Sequence, residues 1–333
     1  MYTPGATTTS QSGWDLPGYY AAQLLPEQVS TETGARLLEP GIVDPRPQKI
    51  GDILGSAFRA VRYAPMTMFG LTLVVMLVTQ LIGVGIGYLV DRQATLLLPE
   101  DELGSMTSLV GWTVLISSVG VSVATIVVEM GLAYAVHEAV FARRTTPAAA
   151  LRRLLSRAGA ALVFSVLTGT AALVATAGTV MIAGILAGIV GDGGWWTLLV
   201  LVPALLVVLI WFGIRLMLAP CAIAIEKAGP IQAIRRSWRL TNGLFWRTFG
   251  IYLLSSVLIS LAASTVSSVF SFAGMLVGLG DLGIGMIVST TASTLVSTVL
   301  SVPLTSADVT LLYVDARIRQ EGYDLEIAEA LYG

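Results

Sequence analysis

Apolar and polar positions are arranged along this chain on the scale of whole membrane spans. Six long apolar runs, at about Pro65–Val90, Met106–Val136, Ala158–Val190, Trp195–Ala219, Phe245–Val277 and Gly285–Val314, are separated by short polar stretches. A helix needs ~20 apolar residues to cross ~30 Å of hydrocarbon, and every run reaches that length. Runs near thirty residues are long enough to tilt or to project beyond the hydrocarbon. The pattern predicts an all-α fold, a polytopic membrane helix bundle with six transmembrane helices.

A second pattern lies in the polar stretches. Ile53–Phe58 precedes the first run, Ala150–Leu155 the third and Ala233–Trp238 the fifth. Each is amphipathic at helical spacing, and each follows Ile50, Pro147 or Pro230 by three residues. Proline suits a first helical turn, where its missing N–H leaves no bond unmade, and Thr146 can cap the second of these helices. Such a helix lies in the interface, with apolar residues in the acyl region and cations among anionic headgroups. The spans thus read as three hairpin repeats, at about 50–141, 147–222 and 230–315, each preceded by an amphipathic interfacial helix. The outgoing spans carry Gly-xxx-Gly pairs at Gly83/Gly87, Gly184/Gly188 and Gly274/Gly278, a spacing that lets helix backbones approach closely in lipid.

Charge adds orientation. The stretches 91–105, 191–194 and 278–284 hold one basic residue, Arg92, against Asp91, Glu100, Asp101, Glu102, Asp192 and Asp281. The opposite side holds Lys49, Arg59, Arg62, Arg143, Arg144, Arg152, Arg153, Arg157, Lys227, Arg235, Arg236, Arg239, Arg247, Arg317 and Arg319. The positive-inside rule then places both termini in the cytoplasm of a plasma-membrane protein. Residues 1–49, rich in Pro, Gly, Ser and Thr, read as a disordered cytoplasmic tail. Within the tail, Trp14–Tyr20 is a candidate docking motif. Residues 316–333 read as a short cytoplasmic helical tail.

Composition closes off other classes. Of the 333 residues, 55% are hydrophobic and 12% charged, against about 25% charged in an ordinary soluble domain. Mean hydropathy is +0.80. A net charge of −2 leaves no basic excess for a nucleic-acid partner. One cysteine, Cys221, and one histidine, His137, leave no disulfide framework and no multi-thiolate or multi-histidine metal site. No P-loop, HExxH, GxSxG or nucleotide fingerprint is present. The expectation is a non-enzymatic protein with no cofactor and no bound metal.

The stretch Pro40–Leu54 continuing to Phe58-Arg59, the segment Gly229–Thr241 with Phe245-Trp246-Arg247, and the exit Leu311–Arg319 resemble a family of actinobacterial six-span integral membrane proteins. That family is related to the membrane domain of certain glycerophosphodiester phosphodiesterases. The resemblance covers the chain from about residue 40 onward and implies a six-span domain in a bacterial plasma membrane, with no settled activity. The phosphodiesterases join this domain to a catalytic barrel. The segments flanking the spans here are too short to fold one, so that activity is not carried over.

Three ionisable residues fall inside the apolar runs: Glu129, Arg215 and Asp308. Each lies on a returning span, roughly 10–12 Å to the cytoplasmic side of the midplane at 1.5 Å per residue. Charges at that depth usually face the bundle interior. The expected arrangement is a buried cluster in which Arg215 pairs with Glu129, Asp308 or both. Its alternatives are a snorkelling Arg215 and a polar site for a lipid headgroup or ion. Arg152, Arg153, Arg235, Arg236 and Arg239 are candidate contacts for anionic lipid headgroups. His137 and Glu138 point about 100° apart on a helix and chelate poorly. Cys221 reads as an inert apolar residue, and Trp195, Trp196, Trp211, Trp238 and Trp246 as interfacial indoles. Three functions remain. The leading one is a scaffold or accessory subunit in bacterial envelope or lipid metabolism, with membrane lipids and a membrane-protein partner. The second is a lipid or small-solute carrier or scramblase using a crevice lined by the Ser and Thr residues of spans 5 and 6. The third is an enzyme acting on lipid headgroups through Glu129, His137 and Glu138.

Overall fold

The break between a helix that lies across the bundle and one that runs through it is made differently at each repeat, and the local sequence explains why. The computed structural model describes residues 50–97, 109–141, 143, 145–190, 196–277, 279 and 282–332. The amino-terminal tail with its Trp14–Tyr20 motif, Arg144, Trp195 and Gly278 lie outside the described residues. Among the described residues there are helices and no strands. Helix α1 spans Ile50–Tyr63, and a π-helical turn at Met66–Gly70 leads into α2, Leu71–Leu97. Helices α3, Leu109–Val140, and α4, Pro147–Val190, follow. Next come α5, Leu198–Leu216, and α6, Ala219–Ile225. The chain continues through α7, Pro230–Thr241, α8, Phe245–Val277, α9, Leu282–Glu321, and α10, Tyr323–Tyr332.

Six helical stretches are long and apolar enough to cross a membrane: Met66–Gln93, Gly111–Val140, Pro147–Ile189, Leu198–Ile225, Phe245–Val277 and Gly283–Glu321. The chain is therefore an all-α bundle of the multi-pass membrane type. In the third repeat, Gly243 at φ 80 turns the chain between α7 and α8, a conformation that glycine adopts without strain. In the second repeat the expected separate interfacial helix is absent. Pro147 to Val190 form one unbroken helix of 44 residues, because no proline or turn sequence interrupts it after Pro147. In the first repeat α1 is separate, but its apolar face meets protein rather than acyl chains. Ile53, Ser56, Ala57, Ala60 and Val61 are buried, and α1 packs on α9 and α3.

Burial is uneven across the spans. Half of the most apolar stretch of α9 is buried, against 6% for the third and fourth spans. Helix α9 touches α8, α3, α1 and α2, whereas the α4/α5 hairpin leans outward. The glycines report the same contrast. A Cβ on Gly83 would stand 2.5 Å from Ser117 Oγ, and one on Gly87 would stand 2.7 Å from Thr113 Cα. On Gly274 it would meet Ser289 Cα at 2.6 Å. Helices α2/α3 and α8/α9 therefore touch backbone to backbone. Gly184 and Gly188, expected to do the same, have nothing within 4 Å, although their neighbour Ala183 is buried on another face of α4.

The fourth span is broken. After α5 the chain turns at Met217 and Leu218, and α6 restarts with Pro220 in its first turn, where proline is tolerated. Ala219 to Ala224 are all buried. Lys227 closes this short helix at φ 58. The Ala228 N–H then reaches back to the Ala222 carbonyl at 3.4 Å.

Candidate functional site

A cavity of about 640 Å³ opens between the α4/α5 hairpin and the other spans. Phe164, Leu167 and Ala171 of α4 form one wall, and Val208, Phe212 and Leu216 of α5 another. Pro220 of the broken span and Trp238 of α7 close the arginine-rich end. Tyr252 of α8 and Thr305 of α9 stand opposite. The lining is largely apolar. One ionisable carboxyl, Glu129 of α3, reaches it.

Glu129 has polar company. Tyr252 lies within electrostatic reach of both Glu129 and Asp308. The Glu129 carbonyl accepts a bond from Ser306 Oγ at 3.2 Å, which ties α3 to α9. Asp308 itself is 1% exposed. Its Oδ1 accepts from Ser255 Oγ at 3.2 Å, and its Oδ2 is buried without a hydrogen-bond partner.

Arg215 is not in this group. Among the described residues no ion pair joins it to Glu129 or Asp308. Its guanidinium stands over Trp211, Trp238 and Phe245, at 5.5, 5.1 and 5.8 Å from the ring centroids. Nη1 reaches the Trp238 carbonyl at 3.5 Å, and its own carbonyl accepts from Ser237 Oγ at 2.7 Å. The expected buried cluster is thus replaced by a cation held on aromatic faces, an attraction that strengthens when desolvated. The three residues share a depth but not a direction around the bundle axis. Trp238 is the link between the two sites, since one indole lines the crevice and also supports Arg215.

The candidate headgroup arginines divide into two groups. Arg152, Arg235 and Arg239 are exposed, and Arg239 also approaches Glu321 at 3.7 Å. Arg153 and Arg236 are engaged within the protein. Arg153 donates from Nε and Nη2 to the Ala224 carbonyl at 3.0 and 2.7 Å and lies 5.2 Å from the Tyr134 ring. Arg236 bridges Glu226 at 2.7 Å and Glu321. Burial opposes the Arg236 charge, but its bonds to Glu321 and Glu226 outweigh that and raise its pKa above the ordinary arginine value. Arg317 joins the same acids, 3.1 Å from Glu321 and 3.8 Å from Glu226, and Tyr313 donates to Glu226. This network, which pattern and spacing do not disclose, pins α6, α7 and α9 together. Its only signal in the sequence is two acids, Glu226 and Glu321, amid arginines.

The remaining candidates are structural. His137 Nε2 meets Tyr323 Oη at 2.9 Å, and burial holds the Tyr323 phenol above its usual pKa. Glu138 faces Arg143 at 3.8 Å instead of sharing a site with His137. Cys221 is buried beside Thr310 Oγ1 at 3.8 Å. No group of three or more metal-ligating residues occurs among the described residues. Of the Ser and Thr residues of spans 5 and 6, Thr305 lines the cavity, and many others are engaged with backbone or with each other. Ser260, Ser264, Thr265 and Ser268 bond back to carbonyls of their own helix. Ser271 and Ser289 bond to each other at 2.9 Å where α8 and α9 touch. The cavity lies instead between the α4/α5 hairpin and the rest.

Residues 64–316 match a family described as a domain of unknown function, DUF7847. No curated protein and no solved structure matches the chain.

Proposed function

The chain belongs to the DUF7847 family, and from its geometry we propose that it is a non-enzymatic membrane protein that takes part of a membrane lipid into the crevice between the α4/α5 hairpin and the other spans. The observation that carries this reading is a cavity of about 640 Å³ between candidate spans, with a largely apolar lining and a carboxyl at its wall. Its size falls in the range of ~300–1,000 Å³ usual for ligand sites. Hydrocarbon gains little by leaving the bilayer for an apolar cavity, because lipid tails are as apolar as leucine. Selection therefore rests on the polar groups. Glu129, Tyr252, Thr168 and Thr305 suit an amphiphile whose hydroxyl or amine donors lie just below its headgroup. The arginine-rich rim suits the cytoplasmic face of a plasma membrane, by the bias of basic residues to that side. A scaffold does not require such a crevice, whereas a lipid-binding protein does.

The test is lipid identification on the full chain purified in mild detergent. The wild-type chain is expected to retain one lipid class enriched over the source membrane. Gly213→Trp is expected to lose it, since Gly213 lines the cavity and a Cβ added there would meet nothing within 4 Å, so the indole can fill the space. Lipid of bulk composition in both proteins would end the proposal. One stoichiometric partner protein and no enriched lipid would restore the accessory-subunit reading.

A further inference from the structure

A second cavity, of about 690 Å³, lies on the arginine-rich side between α3 and the first turns of α4. It is lined by Tyr134, Ala148, Ala149, Arg152, Arg153 and Ser156. We propose that this cavity is a phosphate-binding site, separate from the apolar crevice and independent of that reading.

Four features of the cavity converge on that chemistry. Its lining holds two guanidinium groups and no carboxylate, and arginine forks fit phosphate oxygens in pairs. Arg153 is fixed in place, with Nε and Nη2 committed to the Ala224 carbonyl and its guanidinium over Tyr134. It therefore presents its charge to the cavity at little cost in side-chain entropy. Arg152 is exposed and able to close over a ligand. Ala148 and Ala149 belong to the opening turn of a 44-residue helix, whose dipole end attracts anions. Apolar Leu155, 64% exposed on the same helix, offers a flank to acyl chains. The phosphate can belong to a lipid headgroup or to a free anion.

Binding to the full chain in detergent micelles, read by native mass spectrometry, distinguishes these sources. The probes are phosphatidic acid, diacylglycerol with the same acyl chains, and inorganic phosphate. Wild-type protein is expected to hold phosphatidic acid about tenfold more tightly than diacylglycerol, the scale of one charge-assisted contact. Arg152→Gln and Ala149→Trp should each abolish that preference, whereas Arg62→Gln, exposed and outside the cavity, should keep it. Thermal unfolding checks that Ala149→Trp is folded, and Arg152→Gln carries the test if it is not. Displacement of the lipid by inorganic phosphate supports the shared site. Phosphate binding that Arg152→Gln removes, without lipid preference, supports the free anion as the ligand. No preference and no phosphate binding, or equal loss in Arg62→Gln, overturns the proposal.

Discussion

Arg153 donates two hydrogen bonds to the carbonyl oxygen of Ala224, at 3.0 and 2.7 Å, joining the start of the third span to the end of the fourth. The acceptor lies in the last turn of α6, where carbonyls lack helical partners and the dipole favours a cation. This junction ties the start of α4 directly to the end of the broken span.

Arg153→Leu should therefore lower stability by about 1.5–3 kcal/mol, the range for bonds to charged groups. Arg153→Lys should recover part of that, because a single ammonium can make one of the two bonds. Thermal unfolding in detergent measures both, and a loss no greater than that of Arg152→Leu would count against the junction.

Arg215 should respond to its aromatic neighbours and not to the acids. Trp238→Leu removes one face of the cage and is expected to cost ~1–2 kcal/mol or more as the cation loses its desolvated support. Arg215→Glu should accumulate poorly, and adding Glu129→Arg should not rescue it. Recovery in the double variant, read as yield of folded protein, would re-establish the ion pair.

The glycines separate by place. Gly87→Leu must push α2 from the Thr113 backbone and should cost about 1–3 kcal/mol as an overpacked contact. Gly188→Leu faces open space and should change stability by no more than ~0.5 kcal/mol. Parallel unfolding curves of the two variants decide this.

Sidedness can be read with thiols. Cys221 is buried and should stay unlabelled in folded protein. A cysteine at exposed position 235 should react with an impermeant maleimide only after the membrane is opened from the cytoplasmic side. Labelling of intact cells at that position would invert the topology.

The six spans are legible in the sequence because their signal is summed over ~20 residues of one solvent preference. The spacing that marks Gly87 also marks Gly184 and Gly188, which meet nothing within 4 Å, so close approach depends on which helix lies opposite. The surroundings of Arg215 are not legible, because depth can be counted along a chain, whereas azimuth is set by which helices pack. The unbroken α4 escapes prediction for a related reason. An amphipathic stretch and an apolar stretch predict the same helical backbone, and the sequence between them holds no break to divide them. The crevice has no sequence signal. It arises from two outer helices failing to close on the other four, a property of no single residue.

Helix α9, which packs against α1, α2, α3 and α8, is the last of the six spans to be synthesised. Synthesis at about 5–20 residues per second leaves the earlier hairpins waiting in the bilayer without their axle, with Gly274 facing lipid until Ser289 arrives beside it. Assembly of this bundle is consequently a late event that hinges on its carboxyl-terminal third. A chain interrupted within Gly283–Glu321 should forfeit the packing of α1, α2, α3 and α8 at once, in the way an arch stands only after its keystone is set.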